Sequence, residues 1–172
     1  MGAGSSGCRK YEVWGIGGDS DIYRFDFCSS RFVQVMGSLV RLGVGGGVVW
    51  GLNASNEIYR FNSITSTFDR VSGSLTRLAA NGTAVWGINQ ANQIYRFDSV
   101  GQRFVPVQGL LVAIGVGQGT WGINASGSIF RYGNGTFQQV PGFLSQIAVG
   151  SGAGVWGINA SGSIYRWIPE WA

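Results

Sequence analysis

The stretch "VWGINASGSIYRW", Val155 to Trp167, decides the fold, because it has four earlier copies. They are "VWGIGGDSDIYRF" from Val13, "VWGLNASNEIYRF" from Val49, "VWGINQANQIYRF" from Val85 and "TWGINASGSIFRY" from Thr120. The Trp-Gly pairs begin at Trp14, Trp50, Trp86, Trp121 and Trp156, at intervals of 36, 36, 35 and 35 residues. A period of this size marks a solenoid, a propeller or a repeat array, so the repeat has to be read before any single motif.

One unit, residues 38–73, contains four short β-like runs: Leu39–Val44, Val48–Asn53, Glu57–Phe61 and Thr67–Val71. The breaks between them are clusters of Gly, Asn, Ser and Thr. None is long enough for the crossover of a dozen or so residues that a parallel pair needs, so adjacent runs pair antiparallel. Four-stranded antiparallel units repeated radially are propeller blades. The expected fold is therefore all-β, a five-bladed propeller of four-stranded antiparallel blades, forming one domain over residues 1–172. A six-bladed assembly of swapped chains is the structural rival.

Within the second run Trp50 and Leu52 point to one side and Val49 and Gly51 to the other, which sets bulk on one sheet against smallness on the next. Arg24, Arg60, Arg96, Arg131 and Arg166 share one repeat position. Each is expected at a strand end or across a Trp face of the adjoining blade, an architectural cation–π role, with an anion clamp as the alternative. After Trp167 only "IPEWA" remains, so the fifth blade is expected to borrow or lack an outer strand.

Composition narrows function. With 45% hydrophobic and only 12% charged residues, disorder and helical bundles are disfavoured. The net charge of +4 owes much to the five repeated arginines, and the other basic residues form no run that would track a phosphate backbone. Nucleic acid is therefore not an expected partner. No window approaches a membrane span, so membrane insertion is not expected either. "MGAGSSGCRK" lacks the apolar stretch of a secretory signal, which points to a cytoplasmic protein or one released without a conventional signal peptide. Cys8 and Cys28 are close enough in this topology for a disulfide, although two thiols in such a protein are more often free.

Catalysis has little material. The sequence holds no His, so neither a Ser-His-Asp arrangement nor a His-based metal site can be built, and the eight carboxylates do not recur at one register. No enzyme and no cofactor is expected, with a two-carboxylate glycosidase as the residual enzymatic reading.

The recurring "VWGIN…IYR" core, followed by the pattern seen in "FQQVPGFLSQIAVG", Phe137–Gly150, resembles the tectonin repeat. The resemblance runs from Tyr11 to Trp167 and implies a β-propeller lectin acting in recognition of foreign or self glycans. By similarity to five-bladed lectin propellers it implies N-acetylhexosamine sites between adjacent blades. Terminal N-acetylated, galactose-type and O-methylated sugars are the implied ligands, on glycoproteins or cell surfaces. The chain is expected to be a monomer or a weak oligomer. A protein-binding scaffold is the alternative.

A site made once per blade recurs with the repeat. The turns "NASNE", "NQANQ", "NASGS" and "NASGS" therefore offer Asn53, Asn89, Asn124 and Asn159, with Ser55, Ser126 and Ser161, as candidate carbohydrate-binding residues. The competing role of each Asn is to cap its own turn. Asn89, Asn124 and Asn159 are expected to touch ligand. The first copy, with Gly17 at the Asn position, is expected to bind weakly. The Gly-rich loops ahead of each Trp form the competing face.

Overall fold

The computed structural model describes residues 13–152 and 154–168. Every regular element among them is a β-strand, and the strands form five antiparallel sheets in chain order. The first sheet holds β1 (Trp14–Ile16), β2 (Asp21–Asp26) and β3 (Arg31–Ser38). The second holds β4 (Arg41–Gly45), β5 (Val48–Leu52), β6 (Glu57–Asn62) and β7 (Thr67–Ser74). The third holds β8 (Arg77–Asn81), β9 (Ala84–Ile88), β10 (Gln93–Asp98) and β11 (Arg103–Leu110). The fourth holds β12 (Ala113–Gly117), β13 (Gly119–Ile123), β14 (Ser128–Gly133) and β15 (Thr136–Phe143), and the fifth β16 (Gln146–Gly150), β17 (Gly154–Ile158) and β18 (Ile164–Trp167).

The four expected runs of the second unit thus appear as four strands, shifted by a few residues at their ends. The first and fifth sheets have three strands each among the described residues, not four. In the first the innermost position falls outside those residues. In the fifth, β18 is the last strand among the described residues.

Loop lengths explain the change of interval from 36 to 35. One residue, Gln118, joins β12 to β13 where two, Gly46 and Gly47, join β4 to β5. Between β14 and β15 the turn shrinks from four residues to two, Asn134 and Gly135, whose φ angles of 51° and 84° suit the tight primed hairpin turn that Asn-Gly favours, while the connection from β16 to β17 lengthens from two residues to three, a net loss of one.

Successive sheets pack face to face, and a Trp carries each contact. Trp14 meets Phe61 and Phe68 with ring centroids at 4.7 and 5.9 Å. Trp50 meets Phe97 and Phe104 at 4.7 and 5.8 Å, and Trp86 meets Tyr132 and Phe137 at 4.6 and 5.6 Å. Trp121 packs on Trp167 at 5.0 Å. Among the described residues the first and fifth sheets do not pack on each other in this way.

The indole N–H groups of Trp14 and Trp50 are buried without an acceptor among the described residues, whereas Trp121 Nε1 donates to the Gln118 carbonyl at 3.1 Å. An orphaned donor costs about 1–3 kcal/mol, while burying an aromatic of this size gains roughly 4–6 kcal/mol at 25 cal/mol/Å². Ring packing outweighs the lost hydrogen bond, so the Trp stays.

The glycine after each Trp has a steric cause. Leu39, Leu75, Leu111 and Leu144, in the links between sheets, press onto Gly51, Gly87, Gly122 and Gly157, and a Cβ at any of these glycines would collide with the leucine δ-methyl. Each link is also stitched on both sides. Leu75 N donates to the Asn56 carbonyl of the second sheet, and Thr76 N to the Ile88 carbonyl of the third, at 3.0 and 2.7 Å.

The repeated arginines correct an expectation. Each pairs across strands with the Trp of its own sheet, as in Trp50↔Arg60, and the guanidinium lies over that ring at 6.0, 5.6, 5.5 and 5.5 Å for Arg24, Arg60, Arg131 and Arg166. Only for Arg131 is a ring of the next sheet, Trp167, also covered among the described residues, at 5.2 Å. All five side chains are exposed, so the charge stays in water and no buried ion has to be compensated. Cys28 is disulfide-bonded, against the expectation of free thiols; Cys8 lies outside the described residues.

The crowding at Gly87 gives a direct test. Gly87→Ala is expected to destabilise the chain by about 1–3 kcal/mol, the usual cost of overpacking. Gly133→Ala, at a strand glycine with nothing within 4 Å of its added Cβ, is expected to leave the thermal midpoint nearly unchanged.

Candidate functional site

The hairpin turn after the second strand of each sheet is built by its Asn. Asn53 Oδ1 accepts from the backbone N–H of Ser55 and Glu57 at 3.0 and 2.9 Å. Asn89 does the same for Ala91 and Gln93, Asn124 for Ser126 and Ser128, and Asn159 for Ser161 and Ser163. The side-chain oxygen of every candidate Asn is therefore committed to its own turn, as Asn at such a corner commonly is. In the first copy, where Gly17 replaces Asn, Asp19 Oδ1 accepts from Asp21 N at 3.3 Å instead.

What distinguishes the copies is the amide nitrogen. Asn53 Nδ2 donates to Glu57 Oε2 at 2.7 Å, Asn89 Nδ2 to Gln93 Oε1 at 2.8 Å, and Asn159 Nδ2 to the Tyr165 hydroxyl at 3.3 Å. Asn124 Nδ2 has no partner among the described residues. The residue four places on is Ser128, too short to reach back, and the ring two further on is Phe130, which has no hydroxyl.

These turns border depressions between sheets that recur at one register. Between the first and second sheets a pocket of about 390 Å³ is lined by Met36, Gly37, Leu39, Asn53, Tyr59 and Phe68. Between the third and fourth sheets the matching positions, Gln108, Gly109, Leu111, Asn124, Phe130 and Phe137, line one of about 480 Å³. A broader one of about 630 Å³ brings Asn124, Ser126, Asn159 and Ser161 together with the Leu144–Ser145 link. Asn89 and Ser55 line none of the three. The volumes lie in the range of small-ligand sites, and each joins apolar or aromatic walls to a few polar groups.

The aromatic and link residues of these walls, Tyr59, Phe68, Phe130 and Phe137 with Met36 and Gln108, were not singled out from sequence. For the aromatics the signal existed, since Tyr59 and Phe130 share one repeat position and Phe68 and Phe137 another, but the same recurrence is what core packing produces; the position of Met36 and Gln108 holds Ser72 and Pro141 in the other copies and gives no such signal.

Around Asn53 the site is electrostatically closed. Glu57 receives the Asn53 amide and the Tyr59 hydroxyl on Oε2, and Arg70 Nη2 lies 2.7 Å from Oε1. The Asn53 hydrogen bond, then that of Tyr59, hold Glu57 below its ordinary value, with Arg70 adding to the effect. Burial, followed by the Glu57 hydrogen bond, pushes the Tyr59 phenol up.

Sheets of antiparallel strands set face to face around repeated interfaces define a propeller-type protein. The tectonin domain profile matches residues 3–102 and again 74–169, and the chain belongs to the tectonin domain family. Solved propeller structures share the fold at low identity. Human WBSCR16 superposes with a TM-score of 0.70 at 12% identity, over 80% of this chain and 50% of that one. YCF48 bound to D1 peptide gives 0.64 at 12%, over 91% and 62%, and the WD40 β-propeller domain of Doa1 gives 0.68 at 11%, over 92% and 61%. The chain thus spans half to about three-fifths of the length of these structures. A comparison with curated protein sequences found no match.

The Glu57 network predicts a pH dependence. Because the folded-state value is lowered, its stabilisation is full above the unfolded value near 4.5 and is lost as pH falls through the lower folded value. The stability gap between the native chain and Glu57→Gln should hold steady from pH 7 to pH 5 and close at more acidic pH, as followed by urea unfolding.

Proposed function

We propose that the five sheets are five blades of one propeller domain and that this domain is a non-catalytic, multivalent lectin. Its ligands are terminal sugars of the N-acetylated hexosamine, galactose-type or O-methylated kind, displayed on glycoproteins or cell surfaces and held between blades. The observation that carries this reading is the recurrence of one pocket in which an aromatic wall stands beside a turn amide. A sugar ring presents C–H faces that pack on an aromatic ring and hydroxyl or acetamido groups that pair with an amide. A five-blade ring has support in its end faces. Trp156 on the fifth sheet and Phe25 with Phe32 on the first repeat the two halves of the contact that Trp14 makes with Phe61 and Phe68.

The sites are not equal in this reading. Asn53 and Asn89 spend their amides on Glu57 and Gln93, whereas Asn124 keeps its Nδ2 for a ligand, so the pocket between the third and fourth sheets is the strongest site. This narrows the expectation that placed Asn89, Asn124 and Asn159 on one footing. A protein-binding scaffold is the second reading, and the peptide held by the structurally similar YCF48 favours it.

Glycan-array binding competed by a free monosaccharide separates the two, because a scaffold's ligand is not displaced by simple sugars. Asn124→Asp tests the site, since it preserves the Oδ1 that holds the turn and removes the amide donor. It is expected to keep the melting temperature and to weaken sugar binding several-fold, in line with about 0.5–1.5 kcal/mol for one neutral hydrogen bond. Asn53→Asp should leave sugar binding nearly unchanged. Several sites on one rigid body should also raise binding to a glycan-coated surface by about 10² to 10⁴ over free sugar, and equal affinity for both forms contradicts multivalency.

A further inference from the structure

The charged groups of this chain are sorted by end. In each sheet the strands alternate in direction, so one end gathers the turns from first to second strand and from third to fourth, while the other gathers the links and the Asn turns. Neighbouring sheets keep the same sense. At the first of these ends Gly82 N donates to the Gly45 carbonyl of the second sheet, and Gln118 N to the Gly150 carbonyl of the fifth, at 2.9 and 3.2 Å. Arg60 Nη1 of the second sheet donates to Gln102 Oε1 in the third sheet's outer turn at 3.5 Å, which places its guanidinium at that end too.

Among the described residues, the end with the Asn turns is neutral, with Arg41, Arg70 and Arg77 against Asp19, Asp21 and Glu57. The opposite end holds the five repeated arginines with Arg31 and Arg103, against Asp26, Asp69 and Asp98, and so carries the whole positive excess of these residues. All seven arginines are exposed. Four of them rest on Trp rings, which steadies the side chain and leaves its charge in water. The same end presents the two most exposed large apolar side chains among the described residues, Ile64 and Val100, each 93% exposed. They hold one repeat position in the outer turns of the second and third sheets. Ile64 N donates to Asn62 Oδ1 and Val100 N to Asp98 Oδ1, both at 3.0 Å, so each aliphatic tip is held outward by a closed turn. The turn itself does not require such a tip, since the fourth sheet closes its own with Asn134 and Gly135.

We infer that this end is a peripheral docking face for an anionic lipid membrane, with the arginines drawn to acidic headgroups and Ile64 and Val100 dipping among them. Charge complementarity supplies the attraction, and the aliphatic tips favour lipid over nucleic acid. A phosphate backbone engages arginines but offers nothing to an exposed Ile or Val, whereas a bilayer interface accepts both. In this orientation the neutral end, with Asn124, faces away from the membrane, so docking and sugar binding do not compete for one surface.

The test is co-sedimentation of the full chain with vesicles of phosphatidylcholine alone, or of phosphatidylcholine and phosphatidylserine in equal parts, at low and at high salt. Binding is expected to the mixed vesicles only, and to weaken as salt rises. Arg31→Gln combined with Arg103→Gln should reduce it about ten-fold or more, whereas Arg41→Gln with Arg77→Gln, the same charge change at the neutral end, should leave it nearly unchanged. Ile64→Ser with Val100→Ser alters only exposed side chains. This pair should keep the melting temperature and weaken binding to the mixed vesicles several-fold. The proposal is overturned if the native chain does not distinguish the two kinds of vesicle, if the two arginine pairs have equal effects, or if the serine pair binds like the native chain. It is equally overturned if duplex DNA binds more tightly than the mixed vesicles, since the end is then a nucleic-acid face.

Discussion

The contact between a link leucine and the glycine that follows each Trp is the constraint on which the rest depends. Leu39, Leu75, Leu111 and Leu144 occupy the space that a Cβ on Gly51, Gly87, Gly122 and Gly157 would need. That fit lets the chain step from one sheet to the next with its backbone bonded to both, and it fixes sheet separation. With the separation fixed, the preceding Trp reaches two aromatics of the following sheet, and its indole is buried even where the N–H finds no acceptor. Ring packing sets the position of the indole, and hydrogen bonding yields to it.

The same spacing opens the candidate sites. A link that hugs its glycine leaves the bulge glycine, the turn Asn and the next sheet's aromatic around a depression, so architecture and candidate site arise from one set of repeated residues. This is why the antiparallel sheets could be read from sequence strand by strand and the site only in outline. Period, strand boundaries and antiparallel pairing follow from turn chemistry and side-chain alternation, which are local properties. The identity of the residue under each Leu is likewise visible, since only Gly occurs there.

The site was less legible because its decisive difference is the absence of a bond. From sequence Asn53, Asn89, Asn124 and Asn159 look equivalent, and all four do cap their turns. Whether the amide remains free depends on whether the residue four places on reaches back, and on whether the ring beyond it carries a hydroxyl. Glu57 and Gln93 reach, Tyr165 meets Asn159 through its hydroxyl, and Ser128 with Phe130 offers neither. The arginines were misplaced for a related reason. Sequence spacing shows that Arg recurs with Trp, but only cross-strand register shows that the two share a face of the same sheet.

The central claim is that the free amide of Asn124, beside Phe130 and Phe137, is where sugar binds. Side-chain amide resonances of ¹⁵N-labelled protein titrated with N-acetylglucosamine, N-acetylgalactosamine and galactose test it directly. The account predicts that one of these sugars shifts the Asn124 Nδ2 protons in a saturable way while those of Asn53 and Asn89 stay fixed. Shifts confined to Asn53 and Asn89, or to the Gly-rich loops ahead of each Trp, would contradict it.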